Sequence, residues 1–191
     1  MTHNRTVYVI LGMLSIKSPG SGYEIRQAVE SSVGYFWGES YGQLYPTLKQ
    51  LAAEGLIQSC PPAAASGKRP RQQYALTAAG RDCLREWLAL PFQNDPPRNE
   101  FLLKLFFAGE ADPSVASAHI LELNRRNRQM LGTLDHIDRL ARQQGALNPH
   151  RPYWMLTLAL GIALARAALD WGESALTQIA AMESAAPPAK D

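Results

Sequence analysis

The sequence predicts a mainly α-helical protein with a small β-hairpin: a winged helix-turn-helix domain followed by an all-α dimerisation domain. The first half contains three short helical segments and then two short strands that flank a basic loop. The second half contains two long helical segments. The expected domains are residues 1–90 for the winged helix-turn-helix, 91–99 for a linker, 100–184 for the helical domain and 185–191 for a disordered tail.

The composition is that of an ordinary soluble globular protein, with 46% hydrophobic and 19% charged residues among 191. The net charge of +2 is too small to indicate a nucleic-acid partner, so such a partner requires a local basic patch. Two cysteines, Cys60 and Cys83, fit a reducing cytosol, and we expect a cytoplasmic protein. The apolar run at 153–169 contains Arg166 and falls short of the roughly 20 residues of a membrane span, which favours a buried helix.

The first two helices are bounded by recognisable end signals. An apolar run predicts a first core helix over about 4–16, which ends at the Ser-Pro-Gly turn 18–20. Ser21 and Glu24 then form a capping-box pattern, in which the serine hydroxyl accepts from the Glu24 amide and the glutamate side chain reaches back. A short second helix over about 22–31 is expected to follow.

The third helix, over about 40–56, has one apolar face and one face of hydrogen-bonding side chains. The apolar face carries Leu44, Leu48, Leu51, Ala52 and Leu56, and the opposite face carries Tyr41, Gln43, Thr47, Lys49 and Gln50. Such a helix either reads base edges in a DNA major groove or is an amphipathic helix with a solvated face. Either regular helix begins near Gly42 and leaves Pro46 in an early turn, or the helix kinks at Pro46. Gly55 is expected to end it as a left-handed cap.

Two short strands and the loop between them predict a wing. The strands cover about 56–60 and 71–76, and the basic cluster at the loop consists of Lys68, Arg69 and Arg71. Thr77 is the expected N-cap of a fourth helix over 78–90. The inner face of that helix is expected to carry Cys83, Leu84, Trp87 and Leu88. In a winged helix-turn-helix with this element order, the third helix enters the major groove and the wing holds the adjacent DNA backbone.

The second half predicts a helical dimerisation domain. After a short apolar helix at 100–108, a long helix over about 112–144 shows alternating three- and four-residue apolar spacing, with one polar member, Asn127. The last helix, 153–184, is apolar on nearly all sides as far as Leu169, which one chain cannot cover by itself. We therefore predict an obligate homodimer. Its expected interface consists of Ile120, Leu123, Asn127, Met130, Leu134, Ile137, Leu160, Gly161, Leu164, Ala168 and Trp171.

Four parts of the sequence resemble the PadR family of bacterial transcriptional regulators, in the order that the family shows. They are LGMLSIKSPGSGYEI, GQLYPTLKQLAAEGLI, PRQQYALTAAGR, and FLLKLFFAG followed by LALGIALARAALDWGESAL. The resemblance implies a usually dimeric repressor that leaves DNA when a small effector binds. Two reading helices in such a dimer are expected to engage a palindrome in double-stranded DNA. In phenolic-acid-sensing members, the effector lies between the winged helix and the C-terminal helices. Two departures are the alanine-rich wing tip and Gln43, where the family often has a small hydroxyl residue.

The candidate DNA-binding residues come from the second helix, the third helix and the wing. They are Tyr23, Ser40, Tyr41, Gln43, Tyr45, Thr47, Lys49, Lys68, Arg69 and Arg71. Gln43 is the expected base reader because glutamine can pair bidentately with adenine. Lys49 and the wing cations are assigned to phosphates, whereas Tyr23 either touches the DNA backbone or packs in the core.

The candidate residues for an aromatic effector such as a phenolic acid are Trp87, Phe106, Phe107, His150, Tyr153 and Trp154. Core packing is the alternative for the aromatic residues, and a surface position beside Arg151 is the alternative for His150. No nucleophile, metal-ligand or phosphate-loop pattern occurs, so we expect neither an enzyme nor a cofactor. A ligand-independent regulator and a winged-helix module that docks protein stay open as alternatives.

Overall fold

The computed structural model describes residues 4–38, 41–61, 71–93, 98–143 and 148–185. The chain divides into two compact units, Met1–Asn94 and Asp95–Asp191, and the division lies within the expected linker. The described residues are mostly helical with a small antiparallel sheet, which confirms the predicted fold class. The expected tail, from residue 186 onward, lies outside the described residues.

The N-terminal unit is built from helices and one three-stranded sheet. Its elements are α1 (Arg5–Ile16), β1 (Gly20–Ser21), α2 (Gly22–Glu30), a 3₁₀ turn (Val33–Tyr35), a second 3₁₀ turn (Tyr41–Gln43), α3 (Leu44–Ala53), β2 (Ile57–Cys60), β3 (Gln73–Leu76) and α4 (Ala78–Ala89). The strand order is β1-β3-β2, and both pairings are antiparallel. The hairpin of β2 and β3 is as predicted, but β1 was not expected, because two residues are too few to show an alternating pattern.

The core of this unit forms where α1, α2, α3, α4 and the sheet bring their apolar side chains together. It contains Val7, Ile10, Leu11, Leu14, Ile25, Leu44, Leu48, Leu51, Ile57 and Leu84. The prediction that α1 is a core helix is therefore confirmed. The predicted inner face of α4 is wrong at Leu88, which is 66% exposed, because the last turn of α4 contacts α1 through Trp87.

The helix boundaries follow the end signals in the sequence. Ser21 and Glu24 form the expected capping box, and the Thr77 hydroxyl caps α4 as predicted. Gly55 has a φ of 70°, the left-handed conformation expected after α3. Pro46 is the third residue of α3 and lies in the first turn, where no backbone amide needs an intrahelical partner. The first of the two alternatives for this proline is therefore correct.

The C-terminal unit is dominated by two long helices that pack along each other. Its elements are α5 (Glu100–Phe106), a 3₁₀ turn (Ala108–Glu110), α6 (Pro113–Gln143) and α7 (Arg151–Ala185). Ile120 is fully buried and Leu134 is 6% exposed within the chain itself. Their assignment to a dimer interface is therefore wrong, because α7 of the same chain already covers the apolar seam of α6. The seam residues Leu123, Asn127, Met130 and Ile137 are half-buried.

The buried asparagine of α6 is Asn124 rather than the expected Asn127. Asn124 is fully buried, and its amide lies against Gly172 of α7, where an added Cβ would overlap it. Among the described residues the amide of Asn124 has no hydrogen-bond partner. Asn127 is half-buried and donates to the Leu123 carbonyl of its own helix at 2.9 Å. The polar position inside the α6–α7 contact is therefore three residues earlier than the spacing indicated.

Candidate nucleic-acid interface

Helix α3 buries one face and exposes the other. Leu44, Leu48 and Leu51 are buried in the core of the N-terminal unit. The exposed side chains are Tyr45, Pro46, Lys49 and Gln50 of the helix, together with Gln43 at its N-cap. This face offers amide groups, a phenol and one cation, which are the groups that hydrogen-bond to base edges and phosphates.

Thr47 does not belong to the exposed face. It is 6% exposed, which contradicts its placement among the DNA-contacting side chains. Thr47 lies three residues after Leu44 and four before Leu51, so it falls on the same stripe of the helix as these two leucines. The spacing of Thr47 from these two leucines therefore indicates a buried position, although its polar side chain suggests the opposite face.

Tyr45 links the two helices of the helix-turn-helix. It is 56% exposed, and one edge of its ring lies 2.8 Å from the position that a Cβ on Gly22 would occupy. Only glycine fits at the start of α2 without displacing this ring. Ser40, Lys68 and Arg69, together with the Tyr41 side chain, lie outside the described part of the chain, so their assignment stays a prediction.

Arg71 lies just before β3, at the base of the wing, and stacks on Tyr23 of α2. The guanidinium carbon of Arg71 is 4.0 Å from the centre of the Tyr23 ring. The Tyr23 hydroxyl accepts a hydrogen bond from Gln27 Nε2 at 2.9 Å. Both members of this stack are exposed. The structure thus brings together two residues that the sequence analysis named separately as DNA-binding candidates.

A hydrogen-bond network joins α2 to β3 beside this stack. Glu24 Oε2 accepts from the Ser21 amide at 2.8 Å, from the Ser21 hydroxyl at 2.7 Å and from Gln73 Nε2 at 3.3 Å. The backbone and hydroxyl donors of Ser21 lower the pKa of Glu24, and Gln73 adds to the effect. Gln73, 9% exposed on β3, had no sequence signal for this role beyond its position in a strand.

The candidate effector residues do not form one site in either unit. Trp87 stacks on Tyr8, with ring centroids 4.4 Å apart, and is 38% exposed. Phe106 and Phe107 contact each other edge to face at 5.1 Å. At the start of α7, His150 stacks on Trp154 at 6.1 Å, and the neighbouring Tyr153 is exposed.

Two cavities lie in the C-terminal unit. One of about 380 Å³ lies between α5 and α6, where Lys104 and His119 stand over an apolar wall that includes Leu103, Phe107 and Val115. The other, of about 650 Å³, lies between α6 and α7 and is bordered by Asp135, Asp138, Arg151 and Arg166 around Met155 and Ile162. Of the predicted effector residues, only Phe107 lines either cavity. Lys104 and His119 were missed because only the packing of α5 on α6 brings them together.

The comparisons with known proteins identify the family. Residues 10–86 match the model described as the transcriptional regulator PadR-like family, and residues 97–180 match the model described as the C-terminal region of virulence activator alpha. Residues 10–86 are therefore a domain of the PadR-like family of transcriptional regulators. The family is not enzymatic, which confirms the expectation that this chain is not an enzyme.

Individual relatives agree with this assignment. The negative transcriptional regulator PadR of Bacillus subtilis is 36% identical over 102 residues, which are 52% of this chain and 54% of that protein. The matched region therefore spans about half the length of that relative. The crystal structure of B. subtilis PadR with operator DNA superposes with a TM-score of 0.80 and 26% identity over 92% of this chain and 99% of that chain. The same protein with p-coumaric acid gives 0.74 and 27% over 92% and 99%.

Proposed function

We propose that this chain is a cytoplasmic, homodimeric repressor that binds palindromic operator DNA and leaves it when a small aromatic or hydrophobic effector binds. The observation that carries the proposal is the exposed polar face of α3, with Gln43 and Lys49, on a helix whose opposite face closes the core. It is supported by the similarity to a PadR structure that contains operator DNA. Gln43 then reads a base, and Lys49 and Arg71 contact phosphates.

A stripe of exposed apolar side chains on α7 supports the homodimer. Tyr153, Leu156, Leu160 and Leu164 follow each other at helical spacing and are each more than half exposed. A contiguous apolar surface of this kind indicates a contact with another protein. By length and composition alone, Arg151–Ser184 would also suffice to cross a membrane. Because the apolar side chains form a stripe on a helix that also carries Arg166, Asp170 and Glu173, a second copy of the chain is the better partner.

The cavity between α5 and α6 supports a small-molecule effector. Its volume of about 380 Å³ suits a compound with one aromatic ring. Lys104 is held in an exposed ion pair with Glu100 at 2.8 Å, and such pairs are worth little and exchange readily. A carboxylate bound in this cavity would pair with Lys104 and His119, and an aromatic ring would pack on Phe107 and the aliphatic wall. A phenolic acid has both parts, and p-coumaric acid is bound by the similar B. subtilis protein.

The repressor proposal is tested by release of a preformed protein–DNA complex. The complex with the DNA upstream of the protein's own gene is exposed to p-coumaric acid and to a panel of aromatic and hydrophobic compounds. We expect at least one aromatic acid to release the DNA from the wild type, and a higher concentration to be needed for Lys104→Met. Arg85→Met, which removes an exposed cation from a local ion pair on α4, is the control and should respond like the wild type.

The outcome also separates the alternatives. If no compound releases the DNA, the proposed response to an effector is contradicted. That result favours a regulator controlled only by its abundance. Release that is unchanged in Lys104→Met contradicts the cavity between α5 and α6 as the effector site. Absence of DNA binding at every salt concentration and to a pool of random duplexes favours a module that docks protein.

A further inference from the structure

Arg71 at the base of the wing and Tyr23 on α2 form a cation–aromatic stack on the exposed surface of the N-terminal unit. The guanidinium carbon lies 4.0 Å from the ring centre, a distance that corresponds to stacking of the planar cation on the ring face. Among the described residues, the N–H groups of Arg71 donate to none, so its edges point to solvent or to a ligand. A stacked guanidinium keeps these edges available for the two oxygens of a phosphate.

Both partners of the stack are held by neighbouring structure. β1 pairs with β3 through Ser21 and Gln73, which places Tyr23 and Arg71 each two residues beyond a paired position. The Glu24 carboxylate joins Ser21 to Gln73 by hydrogen bonds and ties the start of α2 to the start of β3. The hydroxyl of Tyr23 also accepts a hydrogen bond from Gln27 Nε2 on the next turn of α2, an exposed contact that adds little to the position of the ring.

An arginine on a wing normally has many rotamers and loses this freedom when it binds DNA. Stacking on a fixed ring removes much of this freedom before DNA arrives, so less is lost on binding. The gain applies to a phosphate contact and is therefore independent of the base sequence. Tyr23 itself need not touch DNA for this effect.

We propose that Tyr23 is a positioning residue for Arg71, and that it orients the guanidinium so that its free edge meets a phosphate of the DNA backbone. This inference rests on the proposed DNA binding. It assigns the contribution of Tyr23 to the face of its ring, and it replaces the earlier alternatives of direct backbone contact by the hydroxyl and of simple core packing.

The test is a set of variants measured by fluorescence anisotropy on two labelled duplexes, one from upstream of the protein's own gene and one of random sequence. Tyr23→Phe keeps the ring and loses the hydroxyl, Tyr23→Leu loses the ring, and Arg71→Ala loses the cation. We expect Tyr23→Phe to bind like the wild type and Tyr23→Leu to bind about two- to fivefold more weakly on both duplexes. Arg71→Ala should bind more weakly still, and the slope of log affinity against log salt should become less steep by about 0.9 for each of the two Arg71 residues in the proposed dimer.

The combined variant Tyr23→Leu/Arg71→Ala gives the decisive comparison. If Tyr23 acts through Arg71, removing the ring has no further effect once the cation is absent. If Tyr23→Leu weakens DNA binding by the same factor in the wild-type and the Arg71→Ala backgrounds, the inference is overturned. It is also overturned if Tyr23→Phe binds DNA as weakly as Tyr23→Leu. The thermal midpoint of Tyr23→Leu should match that of the wild type, and a large decrease would favour a structural role and contradict positioning. A wild-type chain that binds neither duplex overturns the proposed function itself, which is a separate result.

Discussion

Gly172 and Asn124 show how one residue can determine the packing of two long helices. The Asn124 amide fills the space over the α-carbon of Gly172, so α6 and α7 approach closely at this point. Asn124 is fully buried, and a side chain at 172 would have to displace it. At this position the small residue serves close packing, because Gly172 lies in the middle of a regular helix and not in a turn.

Substitution of Gly172 by alanine should destabilise the protein. The new Cβ overlaps Asn124, and overpacking of this kind typically costs about 1–3 kcal/mol in the free energy of unfolding. The matched control is Gly132→Ala on the exposed face of α6, where a Cβ meets no other atom within 4 Å and helix propensity should improve. Urea unfolding of both variants measures the difference.

The Asn124→Ala/Gly172→Ala double variant makes the space for the added methyl group. It should recover part of the stability that the single glycine variant loses. Equal stability of Gly172→Ala and Gly132→Ala would contradict the close contact of α6 and α7 at Gly172.

The Glu24 carboxylate predicts a pH-dependent contribution to stability. Its hydrogen bonds to Ser21 lower its pKa in the folded state, so it stabilises the fold above the ordinary glutamate pKa and loses this effect as pH falls through the lowered value. Glu24→Gln should therefore be less stable than the wild type by roughly 1–2 kcal/mol at neutral pH. The difference should shrink below about pH 4. A difference that is constant over this range would contradict the role of the charged form.

At the scale of elements, α7 has two distinct contacts to make. One face packs on α6 through Leu158, Ala165 and Gly172, which are buried in the chain. A second face carries Leu156, Leu160 and Leu164, which are exposed in the single chain. Burying such side chains is worth about 1.5–3 kcal/mol each, so this face has a strong tendency to be covered.

Replacement of Leu160 by glutamate should convert the proposed dimer to a monomer. The leucine is 62% exposed in the single chain, so the change should leave the fold intact while placing a charge in the proposed contact between copies. Leu88→Glu is the matched control, because Leu88 is 66% exposed on α4 of the other unit. Sedimentation velocity should give a dimer for the wild type and the control. A dimeric Leu160→Glu would remove the α7 stripe from the interface.

The local features of the elements were predictable from the sequence, whereas the partners of their faces were not. The capping box of Ser21 and Glu24 and the left-handed Gly55 depend on neighbours within a few residues, and short motifs report them directly. The strand β1 has only two residues and therefore no pattern. Apolar spacing showed that Ile120 and Leu134 are covered, but spacing does not tell whether the covering helix belongs to the same chain or to a second one.

The candidate sites show the same limit. The exposure of Gln43 and Lys49 follows from the helical period, but Thr47 is buried because the same period places it beside Leu44. The stack of Arg71 on Tyr23 joins residues that are distant in sequence, and only the pairing of β1 with β3 brings them together. Lys104 and His119 likewise meet only when α5 packs on α6.

At the scale of the whole molecule, the proposed function requires a unit that reads DNA and a helical unit that pairs with a second copy of the chain. The half-sites of a palindrome must lie about 34–36 Å apart for two reading helices to engage the same face of the duplex. An effector that binds better to one arrangement of the dimer shifts the protein towards that arrangement. Control of DNA binding then depends on a difference in effector affinity between two states.

The central claim is most directly tested by the binding of the purified protein to a labelled duplex from upstream of its own gene, followed by anisotropy at several salt concentrations. The account predicts saturation at two protomers per duplex, and a linear fall of log affinity with log salt with a slope of about −0.9 for each phosphate contacted. A palindrome selected from a random pool serves as a second DNA. Binding that is insensitive to salt, saturation at one protomer per palindrome, or no saturable binding to either DNA would contradict the account.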